Sequence, residues 1–458
     1  MSSTTLESEI FKNMFGTEPM RAVFSDTRLV GNYLEVEAAL ARVQGALGII
    51  PPEAAATIDA AAKAVRIDMD RLRRETEIVG YPILPLVRQL AEASGAAEGF
   101  VHWGATTQDI MDTAVVLQVR DALDIVADDL EALRDILARL AERYRDTPMA
   151  GRTHLQQALP VTFGYKVAVW LSMIVRHLER IEGVRRRVLV GSFSGAAGTL
   201  ASLGGRGLDV QEALCRELGL RQPLITWHVA RDGLAEAVLL LGLVTGSLAK
   251  IATDVSIMMS TEFGEVAEPF LKSRGASSTM PQKRNPISCE LILACAKAVR
   301  QQAAVMLDGM VQDFERATGP WHLEWLAVPE SFIMTGAALG HARFMLDGLI
   351  VDEDRMLANL KATDGLIVAE AVMMAAAPAL GRQEAHDVVY DACRRAIEGR
   401  RALADELAQV PEIVSALGAD GIRFHCDPVN YLGQSAEMVD RVLAHVRGPV
   451  VHRIAAAK

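Results

Sequence analysis

The chain has 458 residues and a formal net charge of −11; half of its residues are apolar and only 5% are aromatic. That balance argues against non-specific binding to nucleic acid or to an anionic membrane, so an anionic ligand must be met by a local cluster of cations. Ala, Leu, Val, Glu and Arg dominate, which favours packed helices over sheets, and the length implies two to four domains.

In chain order, the first stretch, "MSSTTLESEIFKNMFG", has neither a basic start nor an apolar run, so it does not read as a signal peptide. Residues 1–102 read as short helices. "LEVEAALARVQGAL" (34–47) is amphipathic and closed by Gly48, Pro51-Pro52 opens the next helix, and "YPILPLVRQLAEA" (81–93) begins with a proline break. From about 110 to 350 the helical patterns lengthen, near 108–146, 158–189, 229–265, 285–313 and 325–350. Patterns beyond about 25 residues point to a long bundle or to helices shared across an oligomer interface. The apolar stretch "AVLLLGLVTGSLA" (237–249) is too short for a membrane span and reads as a bundle core. Shorter helices return from Val351. The expected division is 1–105, 106–350 and 351–458. The five cysteines form no C-x-x-C pair, so a reducing, cytoplasmic setting without disulfides is expected.

Four connections carry polar side chains suited to chemistry. "HWGATTQDIMDT" (102–113) crowds His102, Thr106, Thr107, Gln108 and Asp109 at the start of a long helix. Free N–H groups there suit a carboxylate, or Thr106 or Thr107 serves as an ordinary N-cap. "GRTHLQQALP" (151–160) holds Arg152, Thr153, His154, Gln156 and Gln157; its histidine is either a proton carrier or a structural hydrogen-bonder. "SFSGAAGTLASLGGRG" (192–207) is rich in glycine but fits no nucleotide-loop motif, so close backbone packing explains it better. "KSRGASSTMPQKRNP" (272–286) has no helical period and brings Lys272, Arg274, Lys283 and Arg284 beside two serines. An irregular loop between long helices suits function, and its cations and hydroxyls suit proton transfer on an anion; the bland alternative is a solvated basic loop.

Together these stretches resemble the fumarase/aspartase superfamily nearly end to end. "GASSTMPQKRNP" is similar to its signature loop, and "GATTQD" and "GRTHLQ" to its two other regions, in the same order. Within it, "GAAGTLASLG", "WHVARD" (227–232), "ERATGPWHLEW" (315–325) and "DPVNYLG" (427–433) resemble the bacterial 3-carboxy-cis,cis-muconate cycloisomerase branch, with adenylosuccinate lyase the next nearest.

The resemblance implies an all-α, three-domain fold whose central helices assemble a homotetramer, with each active site built from three subunits. It implies no metal and no cofactor, and a small dicarboxylate or tricarboxylate substrate. A proton is removed beside a carboxylate, an aci-carboxylate dianion forms, and a group on the next carbon leaves, usually giving fumarate. Such a dianion needs preorganised cations and donors. By resemblance Ser278 is the base, with Ser277 as the fallback, and His154 is the leaving-group acid with Glu290 as its carboxylate partner. Thr106, Thr107, Gln108, Thr153, Gln156, Met280, Lys283, Asn285 and Arg316 fall at the substrate. The presence of both His154 and Glu290 favours a C–N or C–O lyase over a lactonising cycloisomerase. Tyr81 stands where adenylosuccinate lyases carry a histidine, which argues against a nucleotide substrate. A non-catalytic scaffold of the same fold is the alternative of another class, and the intact serine loop argues against it.

Overall fold

A computed structural model describes residues 4–448; the first three residues of the N-terminal stretch lie outside it. Five long helices form the centre: α1 (Thr107–Arg143), α2 (Phe163–Val188), α3 (Asp232–Met258), α4 (Ile287–Gly309) and α5 (Trp321–Asp347). They share one apolar core that includes Leu123, Leu130, Trp170, Val238, Leu241, Val299 and Phe332. The fold is all-α apart from two small two-stranded ladders. By length and composition α3 could cross a membrane. Here Val238, Leu241, Val244, Leu248, Ala252 and Val255 are wholly buried in the bundle.

The N-terminal helices Asp26–Ala46, Pro52–Ala64, Met69–Val79 and Ile83–Ser94 precede α1. Ser25 and Asp68 cap two of them, and Gly80, at φ +89°, ends the third. A second apolar cluster joins this region to the first turns of α1, through Tyr33, Val36, Leu86, Ile110 and Leu117. Past the bundle, Val372, Val389, Leu403, Leu407 and Ile413 form a separate small core. The last helix, Ser435–Arg447, returns to the central bundle with Val439 and Leu443.

The expected helix over 158–189 begins later, at Phe163, because a hairpin precedes it. Strands β1 (Pro148–Thr153) and β2 (Gln156–Thr162) pair antiparallel, with Pro148 opposite Thr162 and Thr153 opposite Gln156. Pro160 has no N–H to give a helix, and β-branched Val161 and Thr162 favour the strand. Thr162 then caps α2 by accepting from the Tyr165 N–H at 3.1 Å. The expected helix over 229–265 stops at Met258. Gly264 follows at φ +61°, and β3 (Val266–Ala267) pairs with β4 (Ile350–Val351).

Candidate active site

The bundle has two poles. At the first, α1 begins. Thr106 caps it through a reciprocal box with Asp109, whose Oδ2 accepts from the Thr106 N–H at 3.0 Å. Thr106 is thus the N-cap of α1. Asp109 is buried and also accepts from the Ser194 N–H (2.8 Å), the Gly195 N–H (2.9 Å) and His228 Nε2 (2.7 Å). One carboxylate thus fastens the glycine-rich loop beneath the first motif. Close packing accounts for two glycines of that loop: a Cβ on Gly198 would lie 2.7 Å from the Thr226 side chain and one on Gly207 2.5 Å from Leu200, whereas at Gly204 and Gly205 a Cβ would meet nothing within 4 Å.

Gln108 is buried and its amide donates to Asp112 (3.1 Å) and to the His228 carbonyl (2.8 Å), so in this chain its nitrogen ties α1 to the 227–232 segment. The Thr106 hydroxyl accepts from Arg316 at 2.8 Å, while Arg316 Nε has no partner among the described residues. His102 lies 2.6 Å from Glu37; burial opposes its charge, but the carboxylate outweighs burial and raises its pKa.

Under this pole lies a buried ion cluster. Arg231 donates to both oxygens of Asp112 (2.7 and 2.9 Å) and of Glu324 (2.8 and 2.5 Å), and its guanidinium stands 4.8 Å from the Trp227 ring centre. Burial alone would lower the Arg231 pKa; its two carboxylates outweigh that and raise it. Burial pushes the Glu324 carboxyl up, with Arg231 pulling against it. Arg231→Met leaves two carboxylates buried and unpaired, and a loss of about 3–5 kcal/mol is expected, read as a lower urea midpoint. These residues belong to the "WHVARD" and "GPWHLEW" stretches. No local spacing in the sequence marks this pairing, because Arg231 stands 119 residues from Asp112 and 93 from Glu324 in the chain.

The second pole carries the other two motifs. His154 and Leu155 form the two-residue turn of the hairpin, both at positive φ (52° and 61°), and both are exposed. Positive φ in two non-glycine residues is uncommon and stores strain at the histidine. Thr153 and Gln156 flank the turn as a register pair and are exposed. The hairpin is fastened by Arg152, which donates to both oxygens of Glu265 (2.9 and 2.7 Å) and stands over the Phe263 ring. Asn359 from the C-terminal region donates to the same Glu265 at 2.9 Å and accepts from Gln157 on its carbonyl.

The signature loop starts a few residues beyond Glu265. Its neck is closed by a bridge between Ala276 and Arg284 and by the Asn285 N–H donating to the Gly275 carbonyl at 3.0 Å. Two of its four cations are structural. Arg274 donates to Ser288 (2.7 Å) and lies over Phe344; Arg284 donates to the Glu268 carbonyl (2.9 Å) and lies over Phe270. Among the described residues the side-chain ammonium groups of Lys272 and Lys283 have no hydrogen-bond partner, and both residues are exposed; the Lys283 N–H donates to the Met280 carbonyl at 3.1 Å. Ser277 Oγ accepts the N–H groups of Thr279 (3.2 Å) and Met280 (3.1 Å), whereas Ser278 is exposed and, among the described residues, its hydroxyl has no partner. Met280 is exposed and Asn285 half-buried. Glu290 sits exposed in the first turn of α4, which Glu268 caps through the Ser288 and Cys289 N–H groups. Within the chain no hydrogen bond or ion pair joins His154 to Glu290. Gly275 has φ +69°, and a Cβ there would fall 2.6 Å from the Asn285 carbonyl oxygen. Gly275→Ala should open the neck: kcat is expected to fall about tenfold or more, while stability drops by only about 1–2 kcal/mol.

The comparisons with known proteins cover nearly the whole chain. A lyase family profile matches residues 14–300, and the adenylosuccinate lyase C-terminus profile matches residues 365–442. The chain belongs to the fumarase/aspartase superfamily. It is 48% identical to trans-aconitate decarboxylase 1 of Mycosarcoma maydis, covering 94% of this chain and 88% of the other. It is 45% identical to 3-carboxy-cis,cis-muconate cycloisomerase of Pseudomonas aeruginosa, covering 95% and 96%. The crystal structure of a fumarate lyase from Mesorhizobium sp. BNC1 superposes with a TM-score of 0.90 at 58% identity, over 94% of this chain and 98% of that one. This member of the superfamily is therefore an enzyme of the lyase and cycloisomerase group acting on a small molecule.

Proposed function

We propose that this superfamily member catalyses β-elimination from a small substituted succinate, cleaving a C–N or C–O bond and releasing fumarate. The observation that carries the reading is the division of labour in the signature loop. Ser277 is committed to holding the turn, and Ser278 and Lys283 are left free. Ser278, ionised in a closed, water-excluded site, takes the proton from the carbon beside a carboxylate. The electron pair moves into that carboxylate, and the dianion is stabilised by Lys283 and Asn285. A second carboxylate is held at Thr106, Thr107 and Arg316. The pair then returns, the bond on the neighbouring carbon breaks, and His154 gives its proton to the departing atom with Glu290 supporting the imidazolium.

The kinship to 3-carboxy-cis,cis-muconate cycloisomerase supports a second reading, intramolecular addition to form a lactone. The test is to incubate purified protein with fumarate and a panel of amines and to follow the loss of fumarate absorbance. Separate incubations take trans-aconitate and 3-carboxy-cis,cis-muconate, the substrates in the names of two relatives. Addition to fumarate supports elimination; lactone formation alone supports the second reading; inertness toward every substrate supports the scaffold.

A further inference from the structure

The side chain of His154 is exposed and has no hydrogen-bond partner among the described residues, so its aim is set by the hairpin beneath it. That ladder is irregular close to the turn: its register shifts between Ala150 and Arg152. A bulge re-aims whatever the strands carry, so contacts outside the ladder decide where the turn points. Arg152 on β1 and Gln157 on β2 supply them. They are register partners, one step below Thr153 and Gln156, and such partners lie side by side on one face of a ladder. Arg152 donates to Glu265 at 2.9 and 2.7 Å, and the Gln157 amide donates to the Asn359 carbonyl at 2.9 Å. Asn359, on the helix Glu353–Lys361, closes the gap: its side-chain amide donates to Glu265 and to the Phe263 carbonyl, both at 2.9 Å. The contacts form a circuit that runs through Arg152, Glu265, Asn359 and Gln157 and back across the ladder to Arg152.

Glu265 is wholly buried, and its side-chain hydrogen bonds all lie in this circuit: Oε1 accepts from Arg152 and Asn359, Oε2 from Arg152. On the far side of β3, Glu268 accepts from the Ser288 and Cys289 N–H groups, and its carbonyl accepts from Arg284 of the serine loop. One short strand thus carries both the anchor of the hairpin and the anchor of the loop. The hairpin does not need the circuit in order to pack, because Ala150 is buried against Leu360, Ile367, Val368 and Ala371 of the C-terminal region. What the circuit adds is a fixed direction for the turn.

We propose that Gln157 and Asn359 are positioning residues that act through His154, with Glu265 completing the circuit that holds its turn in line with the departing atom. The inference rests on the proposed function in making His154 the donor of the departing group's proton. A catalytic group misplaced by about 1 Å loses a large part of its rate, so a turn that swings slows the reaction without releasing the substrate.

The test opens the circuit at two places in the full-length protein. Asn359→Leu removes the donor to Glu265 and strands nothing, since Glu265 keeps both Arg152 bonds and the Phe263 carbonyl keeps the Arg355 N–H at 2.9 Å. Gln157→Leu removes the bond to the Asn359 carbonyl together with a buried amide oxygen that has no partner among the described residues. The rate is read with the compound that the unaltered protein converts in the substrate panel above. Each substitution is expected to lower kcat about tenfold and to leave KM within about twofold, because a proton donor is engaged only in the transition state. The double variant should lie within about twofold of either single one, since an open circuit is not opened again, and in a His154→Ala background each substitution should cost less than about twofold. Hydrogen exchange read by mass spectrometry should quicken in peptides covering 148–162, with the thermal midpoint within about 3 °C. A kcat loss in only one of the two folded variants, a KM that rises with the fall in kcat, multiplied losses in the double variant, or a full loss in the His154→Ala background overturns the positioning role and leaves His154 as the acid. His154→Ala at full activity, or inertness of the unaltered protein toward the whole panel, overturns the acid assignment and this inference together.

Discussion

Ser278→Ala is expected to lower kcat by about 10²–10⁴-fold, with the circular dichroism spectrum and thermal midpoint unchanged. The residue is exposed and its hydroxyl has no partner among the described residues, so its removal takes nothing from packing and breaks no hydrogen bond there. Ser277→Ala should behave differently. Its oxygen accepts the Thr279 and Met280 N–H groups, so its loss frees the segment leading to Lys283. A raised KM with a smaller drop in kcat is expected, because the base remains while its surroundings loosen. Turnover of the Ser278 variant within a few-fold of the unaltered protein would remove it from the base position. If the Ser277 variant alone were dead, the two roles would exchange.

The helical bundle was legible because long apolar periods and proline or glycine stops are local signals. The strand pair before α2 was not. Pro160-Val161-Thr162 precedes an apolar helical run without a break, and the hairpin depends on Arg152 finding Glu265 more than a hundred residues away. The serine loop was legible as a loop from its two prolines and lack of period. Which of its cations are free was not, since Arg274 and Arg284 are spent on Phe344, Ser288, Phe270 and Glu268, contacts that only the closed neck creates. The same holds for the ion cluster under the first motif. Arg231 finds its partners only where α1, α3 and α5 converge.

Catalysis should depend on association of several chains, and the lengths of the central helices say which residues to pair in the test. Helix α1 has 37 residues, a length of about 55 Å. Thr106 and Arg316 stand at its start. The hairpin with His154 follows its end, and Glu265, bound to Arg152, holds the approach to the serine loop at that same pole. A substrate of a few carbons cannot touch both poles of one chain. If Arg316 and Ser278 act on the same molecule, they come from different copies, as the resemblance implies for a homotetramer. The bundle surface is suited to such contacts: Leu239 and Leu243 on α3, Leu307 on α4 and Leu326 on α5 are exposed in the single chain. Arg316→Ala and Ser278→Ala should each be nearly inactive as pure proteins. Unfolded together in equal amounts and reassembled, they should recover activity toward about one quarter of the unaltered level, since a site needs an intact Arg316 from one chain and an intact Ser278 from another. The measurement is the rate of fumarate formation after mixing, with light scattering to confirm the assembled mass. A fully active monomer, or mixed assemblies with no recovered rate, would place both residues on one chain's contribution and contradict the two-pole site.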